Sequence, residues 1–222
     1  RRQRPRGLRS RRRHSCLPIC CRHGRDCHRG AVSRNLDGIL GVDLEKVEDG
    51  AIEFLVPRQR ALFPIHGIHV SRSLAKVLRQ NKFRVTFDVA FEQVMRGCLR
   101  PEDNWISEPI IRTYTQIHYQ GWGHSCECWL DDELVGGVYG IAVGTVFSAE
   151  SMFHRATNAS KVALKAMVEK CRDFGFEIFD AQVMNPHLAS LGAFEMPQRT
   201  YLRMIRPMLE RPTAWSRGIG SL

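Results

Sequence analysis

"FDAQVMNPHLASLGAFEM", residues 179–196, decides how the chain is read. It grows out of the apolar run "GFEIF", residues 175–179, which belongs in a core. The run ends on polar groups: an acid (Asp180), an amide (Gln182), a second amide (Asn185) and a histidine (His187). Alternate residues of a strand share a face, so a strand over "EIFDAQV" projects Asp180 and Gln182 together. A buried strand that closes on an acid beside an amide presents them to something. "HLASLGAFEM" then reads as a helix with a glycine stop.

Upstream, "ATNASKVALKAMVEKCRDFGF" is a strong helix with a glycine at its C-terminal end. "HSCECWLDDELVGGVYGIAVGTVFSAESMF" reads as a hairpin: strands "SCECWL" and "LVGGVYGIAVGTVF", with "DDE" at the turn. Gly136, Gly137, Gly140 and Gly144 weaken a regular strand and point to a bulge or to a ligand close to the backbone. "GIHV" and "FRVTFD" read as strands. "SRSLAKVLRQ" is a helix with Ser71 as N-cap, "VAFEQVMRGCL" a helix with Asp88 as its cap, and "EPIIRTYTQIHYQGW" an amphipathic helix. This order implies an α/β or α+β sheet with helices on its faces. No internal repeat, Walker loop, G-x-G-x-x-G, G-x-S-x-G or helical zinc-hydrolase His pair is present.

The 222 residues suit one domain, with room for a small second one. No stretch of about 18 apolar residues occurs, so no membrane span is expected. The formal charge of +10 is unevenly spread. Residues 1–35 hold twelve Arg and one Asp, which leaves the rest of the chain close to neutral. That body gives no case for a broad basic nucleic-acid surface.

Residues 1–40 have no hydrophobic period and are expected as a disordered Arg-rich tail. Three sharper readings stand beside that one. They are an RNA-binding arm, an organellar transit segment, and a zinc site from Cys16, Cys20, Cys21, Cys27, His23 and His28, whose ligands crowd together too closely for an ordinary zinc module. In the body, Cys98, Cys126, Cys128 and Cys171 are scattered, as in a protein with reduced thiols. Cys126 and Cys128 alternate as small core residues of a strand would, and a metal pair is the less favoured reading.

The long helix before "EIFDAQV" should bring that strand beside "FSAESMF". Glu150 would then follow one apolar strand and Asp180 would end another. Two carboxylates so placed suit binding a cation or orienting an amine. The alternative is that Glu150 caps the following segment and Asp180 a turn.

From about residue 60 to 199 the chain resembles the leucyl/phenylalanyl-tRNA–protein transferase family. The resemblance runs through "HVSRSLAKVLRQNKFRVTFDVAFEQVMRGC", "NWISEPI", "GWGHSCECW", "ELVGGVYG", "GTVFSAESMF", "NASKVAL" and "DAQVMNPHLASLGAFEMPQR", in family order. It implies an acetyltransferase-like (GNAT) α/β domain over residues 76–210. A partial N-terminal lobe is expected over 41–75 and a C-terminal tail over 211–222. The implied activity moves Leu, Phe or Met from an aminoacyl-tRNA to the N-terminal Arg or Lys of an acceptor protein, which marks it for degradation. A cytoplasmic monomer without cofactor, metal or membrane is implied.

By position the resemblance makes Asp180 and Gln182 the catalytic pair and Glu150 the acid that holds the acceptor. It places the donor pocket on Val138, Phe147, Leu164, Met167, Cys171 and Phe179, and adenosine stacking on Trp105 and Tyr114. Leu164, Met167 and Cys171 form one helical stripe, a spacing equally fit for plain core. The front departs from the family: "FLVPRQR" stands where "W-x-D-P-x-x-R" is usual, with Phe54 for the Trp and no acid. Two other classes stay open, an acetyl-CoA-dependent N-acetyltransferase and an inactive tRNA- or peptide-binding module. The first needs a pyrophosphate-cradling loop at a helix N-terminus, and no such string is found.

One expectation concerns the tail. Deleting residues 1–35 should leave folding unchanged and alter transfer at physiological salt by less than about tenfold, roughly 1.4 kcal/mol. Comparing full-length and truncated protein across a salt series checks this. A large loss with a collapsed salt slope would identify an RNA-binding arm.

Overall fold

A computed structural model describes residues 28–30, 54–100 and 105–216. The other candidate zinc ligands of the tail lie outside these residues. So does the expectation of disorder, apart from a short ribbon in which β1 (His28–Gly30) pairs antiparallel with β2 (Phe54–Val56).

The main body is a seven-stranded mixed sheet with helices on both faces, the α/β class that the sequence implies. Its strands are β3 (Gln59–Phe63), β4 (Arg84–Phe87), β5 (Gly123–Leu130), β6 (Glu133–Val143), β7 (Val146–His154), β8 (Ile178–Gln182) and β9 (Phe194–Pro197). They lie in the order β4-β5-β6-β7-β8-β3-β9. Only β7 and β8 run parallel, because the long helix α4 (Ala159–Asp173) carries the chain across between them. As expected, "FSAESMF" and "FDAQ" are neighbours: Phe147 pairs with Phe179 and Ser148 with Asp180.

The remaining helices are α1 (Arg72–Arg79), α2 (Phe91–Gly97), α3 (Glu108–Tyr119), α5 (Pro186–Ser190) and α6 (Gln198–Ile205). Ser71 caps α1, its Oγ accepting from the Leu74 amide at 3.3 Å. Strand alternation sorts the core. On one face Cys126, Cys128, Val138, Phe147 and Phe179 pack under Leu164, Met167 and Cys171 of α4. On the other, Tyr139, Ile141 and Phe153 pack under α2 and α3. Leu62 and Val146 meet Tyr201 and Ile205 of α6 in a third cluster. Val143 touches the second and third clusters, so both lie on one face of the sheet. The four body cysteines are free and buried, as small core residues.

Several expectations are corrected. "GIHV" is not a strand; the His69 amide donates to the Leu191 carbonyl at 2.7 Å, and Ile68 packs into the core under α4. Asp88 does not cap α2. Its carboxylate is taken by His124 Nδ1 at 2.8 Å, by the Ser125 amide at 2.8 Å and by Trp215 Nε1 at 3.1 Å. The run "LVGGVYGIAVGTVF" is two strands, folded back at Gly144, whose φ of +58° suits a glycine turn. The helix expected over "HLASLGAFEM" stops at Ser190, and Phe194–Met196 pass into β9 against β3. Strand β3, in the range expected for an N-terminal lobe, pairs between β8 and β9 of the main sheet. Trp215, in the range expected for a C-terminal tail, stacks against His124 with ring centroids 4.2 Å apart.

The glycines expected to mark a bulge do so. Tyr139 pairs with Ser151 and Gly140 with Ala149, which leaves Glu150 as the extra residue on β7. They do not leave room for a ligand, because neighbours fill the space. A Cβ on Gly136 would sit 2.6 Å from Cβ of Ala159, and one on Gly140 would meet the Phe147 ring at 2.7 Å as well as the Ser148 carbonyl. Gly140→Ala should therefore cost about 1–3 kcal/mol through overpacking. Urea unfolding checks this; an unchanged midpoint would show that the bulge can shift to accept the methyl.

Candidate active site

The site begins where β7 and β8 part. Their pairing ends at Ser148 and Asp180, because β8 turns away at Gln182, a non-glycine residue at φ +70°. The residues of β7 beyond Ser148 have no partner on that side. Gln182 compensates with its side chain: Nε2 donates to the Ala149 carbonyl at 2.9 Å, in place of a ladder bond. Residues 148–152 are half-buried, between the buried Val146–Phe147 and the buried Phe153 of the same strand.

Asp180 is fully buried. Its Oδ2 forms an ion pair with Arg60 Nη2 and accepts the Tyr201 hydroxyl at 2.6 Å. Its Oδ1 accepts the backbone amide of Gln182 at 2.8 Å. The turn-capping reading of Asp180 is thus realised, together with a charge pairing that it did not include. The Arg60 guanidinium lies 5.0 Å from the Tyr201 ring centre. Burial, with the Asp180 charge beside it, pushes the Tyr201 phenol well above its ordinary value, so the hydroxyl remains a donor.

Glu150 does not follow the strand, as expected from sequence, but sits within it as the bulged residue. It caps nothing. Both carboxyl oxygens are sealed and receive no hydrogen bond among the described residues. Burial pushes its carboxyl well above the usual range; the Gln182 amide and the Arg60 charge oppose this, and Asp180 adds to it. The Gln182 amide spends one N–H on the Ala149 carbonyl and stands beside Glu150. The bulge is what turns this acid toward Asp180, Gln182 and Arg60.

The six residues expected to form the donor pocket do come together. Val138, Phe147, Leu164, Met167, Cys171 and Phe179 form part of one cluster under α4, each no more than 2% exposed. Phe147 and Phe179 pack with centroids 5.1 Å apart. This group occupies the face opposite Asp180 and Tyr201. Trp105 and Tyr114 belong to the cluster under α2 and α3. Tyr114 is a core ring set edge-on to Tyr139 at 5.9 Å, whereas Trp105 remains half-buried. Phe54 lies in β2, and its side chain is outside what is described. Of the other polar residues in the opening stretch, Asn185 caps α5, its Oδ1 accepting the Leu188 amide at 2.9 Å, and His187 is half-buried on that helix.

Sequence reading missed Arg60 and Tyr201. A signal existed for the first: Arg60 ends "FLVPRQR", the place of the family's motif Arg, and it is a cation directly before the apolar "ALF" of a strand. Such a charge calls for a partner. Nothing in "PQRTYLRMI" marks Tyr201 apart from helical periodicity. Among the described residues no cluster of three or more His, Cys, Asp or Glu could hold a metal, and no helix is long and apolar enough to cross a membrane.

Comparison with known proteins gives the family of the chain. The family described as "Leucyl/phenylalanyl-tRNA protein transferase" matches residues 62–206. A leucyl/phenylalanyl-tRNA–protein transferase of Novosphingobium aromaticivorans is 46% identical over 71% of this chain and 62% of its own. One of Herpetosiphon aurantiacus is 42% identical over 78% of this chain and 89% of its own. The chain therefore spans less than two thirds of the first relative and most of the second. A solved GCN5-related N-acetyltransferase-like protein of Streptococcus suis is 16% identical, over 62% of this chain and 57% of its own, with a TM-score of 0.36. On the extent of the family match and the identity of these relatives, the chain belongs to the leucyl/phenylalanyl-tRNA–protein transferase family.

Proposed function

We propose that the chain transfers Leu, Phe or Met from aminoacyl-tRNA to the N-terminal Arg or Lys of acceptor proteins, acting as a cytoplasmic monomer and tagging those proteins for degradation. The observation that carries the reading is the convergence of Glu150, Asp180 and Gln182 on one seam between parting strands, with the apolar cluster of Phe147 and Phe179 behind it.

An aminoacyl ester is already activated, so the protein's main task is placement. Holding amine and ester in reacting geometry is worth roughly 7–11 kcal/mol. The acceptor α-amine has an unperturbed pKa of roughly 8, so part of it is neutral near pH 7 without a strong base. Its nitrogen attacks the ester carbonyl carbon, the C–N bond forms, and the C–O bond to the tRNA ribose breaks. The amine proton leaves with the departing ribose oxygen, directly or through a neighbouring group.

In this reading the donor side chain points toward the apolar face, where loss of a methylene changes binding by only about 1–3 kcal/mol, which suits several apolar donors. The terminal adenosine stacks on the half-buried Trp105, with roughly 1–3 kcal/mol per stacked base. Glu150 takes the acceptor amine, because its two oxygens have unused accepting capacity. Gln182 orients the ester through its amide. Asp180 acts by orientation, since each of its oxygens already accepts within the protein.

Glu150→Gln should lower transfer of Phe to an Arg-starting peptide by at least about tenfold, a loss of about 1.4 kcal/mol in transition-state stabilisation. Near-wild-type transfer in the folded variant would remove Glu150 from the reaction.

The same variant carries a pH signature. A carboxyl held above its unfolded value of 4.5 contributes stability that is full at pH values below 4.5 and is lost as pH rises toward the folded value. Glu150→Gln escapes that loss, so its melting temperature relative to wild type should rise between pH 5 and pH 8. A constant difference across that range would show that the Glu150 carboxyl titrates normally.

A further inference from the structure

We propose that Arg60 and Tyr201 are positioning residues for the transfer: they fix Oδ2 of Asp180, so that Asp180, through Oδ1, fixes the turned backbone of Gln182 at the mouth of the seam. The inference rests on the transferase reading above and adds two residues to it.

The chain of contacts is continuous. Tyr201 comes from α6 and Arg60 from β3, neither of which is part of the seam itself. Both reach one oxygen of a fully buried carboxylate, Tyr201 at 2.6 Å and Arg60 in an ion pair. The other oxygen receives the Gln182 amide at 2.8 Å, and Gln182 holds φ +70°, a conformation that a non-glycine residue keeps only when its surroundings enforce it. From that turn the Gln182 side chain reaches back across the seam to the Ala149 carbonyl at 2.9 Å, one residue before Glu150. If the carboxylate swings, the turn relaxes and the amide moves away from Glu150.

Removing one donor leaves the other in place, so the fold can survive while the geometry loosens. A positioning role predicts a loss in the chemical step and not in substrate capture. It also predicts that the loss is not additive with removal of Asp180, because the route runs through that residue.

The test uses the full chain with Phe-tRNA and an Arg-starting peptide. Variants are Tyr201→Phe, Arg60→Lys, Asp180→Asn and the double variant Tyr201→Phe/Asp180→Asn. Tyr201→Phe should lower kcat by about tenfold or more with KM for both substrates within about twofold, and the double variant should be no slower than Asp180→Asn alone. Arg60→Lys keeps the charge but loses the planar fork, and should show the same split even if Tyr201→Phe folds poorly. Unchanged kcat in Tyr201→Phe and Arg60→Lys, or losses that multiply in the double variant, would overturn the positioning role while wild-type transfer stands. No transfer by the folded wild type would instead overturn the transferase reading, and this role with it.

Discussion

One buried carboxylate holds the working end of this molecule together. Asp180 has no contact with solvent, and a charge in that setting persists only when it is paired and hydrogen-bonded. Arg60, Tyr201 and the Gln182 amide meet that requirement from three elements, β3, α6 and the end of β8. Leaving a buried charge without a partner costs about 3–5 kcal/mol, so each element is held where it is by the same group. The strand order follows: β3 must lie against β8 for Arg60 to reach the acid, and α6 must cover β3 for Tyr201 to do so.

The seam is a consequence of how β8 ends. A strand that continued straight would pair along β7 and close the sheet. Asp180 captures the amide of Gln182 and bends the chain into the left-handed region, so pairing stops and the two strands diverge. On the opposite side of β7, the glycine-rich β6 lets neighbouring groups approach closely and admits an extra residue in its partner. That residue is Glu150. A bulge on one edge of β7 and a parting on the other place an unpartnered acid beside an amide, in an otherwise tightly packed sheet.

The aromatic and apolar groups divide between the two faces. The cluster under α4 sits behind Phe147 and Phe179, and that under α2 and α3 contains Trp105 and Tyr114. The Asp88 network serves the frame. By accepting from Ser125, His124 and Trp215, it ties β5 to the C-terminal segment, and Trp215 lies over Phe147 with rings nearly parallel at 6.5 Å.

The sequence by itself determined the local elements whose signals are local. The periodicity of residues 159–173 makes α4, Ser71 caps α1, and the alternation of "FRVTFD" makes β4. It also placed Asp180 and Gln182 beside each other, because two residues apart on a strand is a short-range relation. Tertiary structure decided what those residues meet. Arg60 lies 120 positions from Asp180, and no spacing rule relates them. Glu150 reads as a strand end in one dimension and becomes a bulged residue only when the register against β6 is set. Asp88 reads as a helix cap until β5 offers His124 and the Ser125 amide instead. Asp88 thus chose distant partners over a near one, and burial in the folded sheet decided, because an unpaired polar group inside costs more than a cap returns.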